Sequence, residues 1–104
     1  MLFMTYFELS QDVPLTAGLA GAQKIMAAGL FPAPDVTIIR WDISPDSWGV
    51  LLAEAESVAA IEGAINVWRA AIPGFFRVTR TAPAAPVQEN IGRTAELLQR
   101  LGGA

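Results

Sequence analysis

The sequence contains no cysteine and no histidine, and these two absences exclude several kinds of site. Without cysteine the chain has no disulfide, no thiolate nucleophile and no cysteine-bound metal. Without histidine it lacks the commonest general base and the commonest metal ligand. We therefore predict no metal and no cofactor, and the sequence names no catalytic residue. The absence of disulfides fits a cytoplasmic protein, which is the predicted location.

Charged residues and long hydrophobic runs are also scarce. Asp, Glu, Lys and Arg make up 16% of the chain, the net charge is −3, and Lys24 is the only lysine. Nucleic acid binding needs clustered Lys and Arg against phosphates, so we predict no nucleic acid partner. The longest apolar candidate, Gly49 to Ile72, contains three glutamates. A membrane-spanning helix needs roughly 18 uninterrupted apolar residues, so we also predict no membrane partner.

Apolar residues, in contrast, are abundant at 53% of the chain. Globular domains usually contain about 45–50%, even when glycine is counted. A small domain has a limited interior, so the surplus indicates additional buried surface, most simply the interface of a homodimer. The alternative is that the surplus only reflects a high alanine content.

The hydrophobic pattern predicts four strands and three helices. The predicted strands are Leu2–Glu8, Val36–Ile43, Trp48–Ala55 and Phe75–Thr81. The first helix follows a cap at Ser10 or Asp12 and stops at Gly29. The second follows a cap at Ser57, places Ile61, Ile65, Trp68 and Ile72 on one stripe, and stops at Pro73-Gly74. The third spans Val87–Leu101 and stops at Gly102-Gly103.

The segment from Asp35 to Glu56 is predicted to be a β-hairpin. With Pro45 and Asp46 as the two central residues of its turn, Trp41 and Trp48 share one apolar face. Arg40 then lies on the opposite face, beside small residues. An error of one residue in the turn would exchange the two faces, because side chains alternate along a strand.

The order β-α-β-β-α-β followed by a helix is the ferredoxin-like plan of the α+β class. Right-handed crossovers give a four-stranded antiparallel sheet with both main helices on one face and the first and third strands in the centre. Both faces of the sheet are apolar in sequence, so we predict that a second subunit covers the other face in a dimeric α+β barrel. The predicted ferredoxin-like domain is residues 1–82. Residues 83–104 form a linker and a C-terminal helix that packs on the same domain or on the dimer partner.

Several short motifs resemble those of a family of proteins of similar length. The motifs are Met1-Leu2-Phe3-Met4, Ile38-Ile39-Arg40-Trp41, Trp48-Gly49, Asn66-Val67-Trp68-Arg69 and Pro73-Gly74-Phe75-Phe76. The family is known as a domain of unknown function that folds as a ferredoxin-like dimeric α+β barrel. The resemblance covers most of residues 1–82 and implies the fold and the dimer, but no activity. Some related dimeric barrels are cofactor-free monooxygenases or isomerases, which is an analogy of fold alone.

Six residues are candidates for a ligand site: Tyr6, Arg40, Trp41, Trp48, Glu54 and Arg77. The aromatic residues could line an apolar pocket, or pack in the core or the dimer interface. The arginines could bind an anion, or pair with Glu8, Asp42 or Glu54. A glutamate could serve acid–base chemistry, or mark the end of a strand.

These residues predict a homodimer that binds an apolar or anionic small molecule inside the barrel. A cofactor-independent enzyme acting on small aromatic substrates, similar to a monooxygenase or an isomerase, is the first alternative. A purely structural assembly module with a filled barrel is the second. A cavity discriminates between them, because a hollow interior is needed for binding or catalysis.

Overall fold

The computed structural model describes residues 1–102. Its elements are β1 (Leu2–Leu9), α1 (Leu15–Ala28), β2 (Thr37–Ile43), β3 (Trp48–Glu54), α2 (Val58–Ala71), β4 (Phe76–Pro83) and α3 (Val87–Arg100). The order confirms the predicted ferredoxin-like α+β class with an additional C-terminal helix. Gly103, which is part of the predicted stop of the last helix, lies outside the described residues.

The four strands form one antiparallel sheet in the order β2-β3-β1-β4. β1 pairs with β3 on one side and β4 on the other, so the first and third strands are central, as predicted. On β1, Phe3, Thr5 and Phe7 are buried against the helices, while Met4 and Tyr6 point to the opposite side. The sheet therefore has a helix-covered face and a face that no helix of the described chain covers.

α2 supplies the centre of the core. Its predicted stripe of Ile61, Ile65, Trp68 and Ile72 is buried, and Ile61 has no exposed surface. The predicted cap is also confirmed, because the Ser57 hydroxyl accepts a hydrogen bond from the backbone N–H of Ala60. Full burial of one large aliphatic side chain contributes roughly 1.5–3 kcal/mol, so this stripe is a major source of stability.

α1 packs directly on α2 at Gly21. A Cβ atom built on Gly21 would lie 2.1 Å from Cγ1 of Ile72, so only glycine fits this contact. Gly29 ends the helix at φ 65°, which confirms the predicted stop. The predicted cap is wrong: Pro14 occupies the cap position, and the Ser10 hydroxyl instead accepts a hydrogen bond from the Asp12 backbone N–H.

The hairpin differs from its prediction by one residue. Trp41 pairs with Leu51 and Arg40 with Leu52, after a bulge between Ile38 and Arg40. The cause is the turn: the Ser44 N–H donates to Trp48 O, and Ser47 adopts a positive φ of 64°. The loop therefore holds three residues instead of two, a common hairpin form that ends in a left-handed residue.

This register corrects the predicted faces of the hairpin. Trp41 lies on the helix-covered face with Leu51, whereas Trp48 lies on the other face beside Glu8. The two tryptophans are therefore on opposite sides of the sheet. Arg40 shares the uncovered side with Leu52, and not with the small residues that the sequence indicated.

α3 does not join the core, and no residue within it is buried. Its apolar side chains remain exposed, including Ile91 at 62% and Leu98 at 51%. The radius of gyration is 17.3 Å, whereas a compact chain of this length has about 13 Å. The helix, which is about 21 Å long, thus extends beyond the rest of the fold. Its predicted packing on this domain or on a partner stays a prediction.

Candidate functional site

An aromatic cleft lies between the helix-covered face of the sheet and α2. Its aromatic walls are Phe7, Trp41, Trp68, Phe75 and Phe76, and its volume is about 250 Å³. The ring centroids of Trp41 and Trp68 are 5.4 Å apart, and Phe75 stacks on Trp68 at 5.8 Å. Ligand pockets usually have about 300–1,000 Å³, so the cleft lies just below this range and has room only for a small ligand.

A second, smaller void of about 20 Å³ shares four of these walls and reaches deeper into the core. Phe31, Thr5 and Thr79 are among the residues that line it. The Phe31 ring contacts both tryptophans, at 5.1 Å from Trp41 and 5.4 Å from Trp68. A void of this size accepts one water-sized group.

Local sequence explains how the walls converge. Phe7 and Trp41 lie on strands, at positions that point toward the helices. Trp68 lies on the buried stripe of α2, one turn before the helix ends at Ile72. Gly74 then adopts a φ of 77°, which lets the chain turn sharply and brings Phe75 back against Trp68, with Phe76 packed on Phe75.

The cleft contains few polar groups, and Trp68 provides the most notable one. Its side chain is 7% exposed, and its Nε1 atom is buried without a hydrogen-bond partner among residues 1–102. Thr79 lines the adjoining void, and its hydroxyl accepts a hydrogen bond of 2.5 Å from Nη2 of Arg69. The Thr5 and Thr81 hydroxyls bond to each other at 2.8 Å.

Arg69 is a half-buried cation beside this site. It lies 5.7 Å above the ring of Phe76 and also donates to Oδ1 of Asn66 at 2.9 Å. Within the part of the chain that the structure describes, no carboxylate lies within salt-bridge distance of Arg69. The positive charge of Arg69 therefore lies next to Thr79, which lines the void, although Arg69 does not line the void itself.

Of the six candidates from the sequence, Trp41 lines the cleft. The other five lie on the opposite side of the sheet, which we term the open face. The apolar residues of the open face are Leu2, Met4, Tyr6, Trp48, Val50, Leu52, Val78 and Ala82, and its charged residues are Glu8, Arg40, Asp42, Glu54, Arg77 and Arg80. Met4 is 46% exposed and Trp48 is 45% exposed, so this face presents a substantial apolar surface.

Tyr6, Glu8 and Arg77 form a connected group on the open face. The Tyr6 hydroxyl donates to Oε2 of Glu8 at 2.7 Å, and Arg77 binds the other oxygen of the same carboxylate. The hydrogen bond from Tyr6, together with Arg77, lowers the pKa of Glu8. The same hydrogen bond to Glu8 raises the pKa of Tyr6. Tyr6 also lies 6.1 Å from the Trp48 ring, so it is held on two sides.

Both candidate arginines are engaged in ion pairs. Arg77 pairs with Glu8, and Arg40 pairs with Asp42 two residues along β2. The Asp42 carboxylate raises the pKa of Arg40, and both side chains of that pair are largely exposed. The geometry thus matches the ion-pair alternative for these two residues. Glu54 lies at the end of β3, opposite Leu2.

Sequence reasoning missed most of the walls of the cleft. In the sequence, Trp68 marks a helical stripe and the motif Asn66-Val67-Trp68-Arg69 but no ligand site, and Phe31 stands in a loop with no strong pattern. The signal available in sequence was the spacing of Phe75 and Phe76 directly after Pro73-Gly74, because a sharp turn there returns two aromatic rings to the helix end. The contact between Thr79 and Arg69 has no signal in the sequence, since it depends on the placement of β4 against α2.

No protein-family model matches the chain, and no curated protein is significantly similar to it. Among the helices of residues 1–102, none is sufficiently long and apolar to cross a membrane. The described side chains also contain no group of three or more acidic residues that could hold a metal ion.

Proposed function

We propose that the protein is a homodimer that binds a small apolar molecule in the aromatic cleft. The observation that supports binding is the cleft itself, with aromatic rings on its walls and an adjoining void. Aromatic side chains in a concave site offer large contact areas to a flat ligand. The positive charge of the nearby Arg69 would stabilise a partial negative charge on the bound molecule.

Binding is favoured over catalysis by the character of the walls. Within the described chain, Asp42 is the one ionisable residue that borders the cleft, and its carboxylate lies on the open face, where it pairs with Arg40. General acid–base chemistry needs a titratable group within reach of the substrate. An enzyme and a filled assembly module are therefore weaker proposals. From sequence alone we also propose that the protein works in the cytoplasm.

The cleft can be tested by filling it from its rim. Ile43 lines the cleft and is 55% exposed, so Ile43→Trp should occupy the opening without disturbing the core. We expect this variant to weaken binding of 2-isopropenylnaphthalene, an uncharged apolar probe, about tenfold or more, measured by isothermal titration calorimetry. Ile39→Trp is the matched control, because Ile39 is 53% exposed on the same strand and does not line the cleft. Equal affinities for both variants would contradict the proposal.

The homodimer is supported by the composition of the open face. An apolar stripe that includes Met4, Tyr6 and Trp48 runs across its centre, and three arginines and three carboxylates lie around it. In a two-fold dimer the same patch meets itself, so it must be self-complementary. A face with equal numbers of positive and negative side chains meets that requirement, and a second copy is the occupant that we propose.

The oligomeric state gives a direct test of the open face. Met4→Glu places an unpaired charge in the centre of the proposed interface, where burial would cost several kcal/mol. We expect the wild-type protein to be a dimer and this variant a monomer in size-exclusion chromatography with light scattering. Met26→Glu is the matched control, because Met26 is 55% exposed on α1 and should leave the dimer intact. A monomeric wild-type protein would contradict the proposed homodimer.

We also propose that α3 packs on the partner subunit. A free helix of 14 residues is only marginally stable in water, so its apolar stripe needs a partner. β4, which borders the open face, leads into α3 after the Ala84 N–H bonds to Leu2 O. Leu98→Asp should then weaken the dimer, measured by its dilution midpoint, whereas Gln99→Asp on the same helix should not. An unchanged midpoint for Leu98→Asp would exclude this packing.

A further inference from the structure

The indole N–H of Trp68 is buried and has no hydrogen-bond acceptor among the described residues. Buried polar groups in native proteins are nearly always hydrogen-bonded, because an unpaired one loses its water without compensation. The Trp68 side chain is more than nine-tenths buried, and Nε1 has no partner anywhere in residues 1–102. Trp68 also lines both the cleft and the smaller void. A bound molecule with an acceptor atom would satisfy this group.

Thr79 adds a second donor at the void. Its oxygen accepts the hydrogen bond from Arg69, so its own hydroxyl hydrogen is left to donate elsewhere. A neighbouring guanidinium polarises that hydroxyl and strengthens it as a donor. Trp68 and Thr79 are both among the residues that line the void, which has space for a single oxygen-sized group.

We infer that the cleft selects a flat, uncharged ring compound that carries a carbonyl oxygen, and that the Trp68 N–H donates a hydrogen bond to this oxygen. The ring lies among Trp41, Phe75 and Phe76, and the oxygen lies at the void. This inference rests on the proposed function, because it names the class of molecule that the same cleft binds.

An uncharged oxygen fits the site better than a carboxylate. A buried carboxylate requires a cation in direct contact, but Arg69 does not line the void and is already bonded to Asn66 and Thr79. A carbonyl needs only the neutral donors that are present. A flat ring fits because the walls are themselves aromatic rings, which prefer stacked or edge-to-face contacts.

Two probes of the same shape isolate the hydrogen bond. 2-Acetylnaphthalene carries a carbonyl oxygen, and 2-isopropenylnaphthalene replaces it by a methylene group. Isothermal titration calorimetry on the full chain should show that the carbonyl probe binds about fivefold to tenfold more tightly. 2-Naphthoate, the charged analogue, should bind more weakly than the carbonyl probe.

Trp68→Phe should remove the preference, because phenylalanine keeps a ring but lacks the N–H. We expect affinity for the carbonyl probe to fall to that for the hydrocarbon, which should itself change by less than about twofold. Thr79→Val, a second variant that removes the hydroxyl, should reduce the preference in part. Trp48→Phe, on the open face, is the matched control and should retain the full preference.

Nuclear magnetic resonance provides a readout that needs no change at Trp68. Trp41→Phe and Trp48→Phe assign two of the three indole ¹H–¹⁵N signals, and the remaining one belongs to Trp68. This signal should shift downfield on addition of the carbonyl probe and much less with the hydrocarbon. Equal shifts, or equal affinities of the two probes for the wild-type protein, would overturn the inference while leaving apolar binding intact. Failure of both probes to bind would overturn the proposed function as well.

Discussion

Both faces of the sheet carry large apolar side chains, and they differ in what covers them. The helix-covered face contains Phe3, Phe7 and Leu51, which are buried beneath α1 and α2. The open face contains Met4 and Trp48, which are nearly half exposed. The same strands supply both sets, because neighbouring side chains alternate between the faces. A sheet with large apolar side chains on both faces thus needs a cover on each face, and the described chain covers one of them.

The two faces also suit different kinds of partner. On the helix-covered face, aromatic rings from the sheet, from α2 and from the segment after α2 surround a gap of about 250 Å³. On the open face, ion pairs such as Arg77–Glu8 surround a flat apolar stripe. Concave aromatic surfaces suit small ligands, while flat surfaces with charged margins suit proteins.

The largest effect is expected in the covered core. Ile61→Ala should lower the free energy of unfolding by about 2–5 kcal/mol, because it leaves a cavity where no surface was exposed. Urea denaturation followed by circular dichroism measures this change. Val58→Ala on the same helix is the control, because Val58 is 47% exposed and should change stability by less than about 0.5 kcal/mol. Equal losses would contradict the contrast between covered and uncovered positions.

An intermediate effect of opposite sign is expected at two glycines. Gly21→Ala should destabilise the protein by about 1–3 kcal/mol, since the new Cβ would collide with the buried side chain of Ile72. Gly63→Ala should stabilise it by up to about 1 kcal/mol, because alanine favours a helix and no atom lies within 4 Å of the new Cβ. Thermal unfolding of the two variants beside the wild type measures both signs. A stabilising Gly21→Ala would show that α1 does not pack closely on α2.

The smallest effect concerns acid stability on the open face. The folded pKa of Glu8 is lowered below its ordinary value of 4.5 by Tyr6 and Arg77. Its ionised form therefore stabilises the fold above that value, and the contribution is lost as pH falls through the folded pKa. Glu8→Gln should flatten the decline of the melting temperature as the pH falls below about 4.5, with Glu62→Gln, exposed on α2, as the control. A parallel decline in wild type and Glu8→Gln would exclude this contribution.

The sequence alone determined the order of elements, the fold class and the positions of most boundaries. Local signals are responsible, because Ser57, Gly29 and Pro73-Gly74 act through their own backbone geometry. The stripe of Ile61, Ile65, Trp68 and Ile72 was likewise visible, since a helix repeats its faces every 3.6 residues or so. The predicted family, the homodimer and the ligand stay predictions.

Only the tertiary structure decided which side chains meet. A three-residue loop ending at Ser47 moved Trp41 and Trp48 to opposite faces, because one extra residue in a turn reverses every later side chain of a strand. The contact between Arg69 and Thr79 and the isolation of the Trp68 N–H arise from the packing of α2 on β4. Such contacts join residues from separate elements, and no local pattern in the chain encodes their distance.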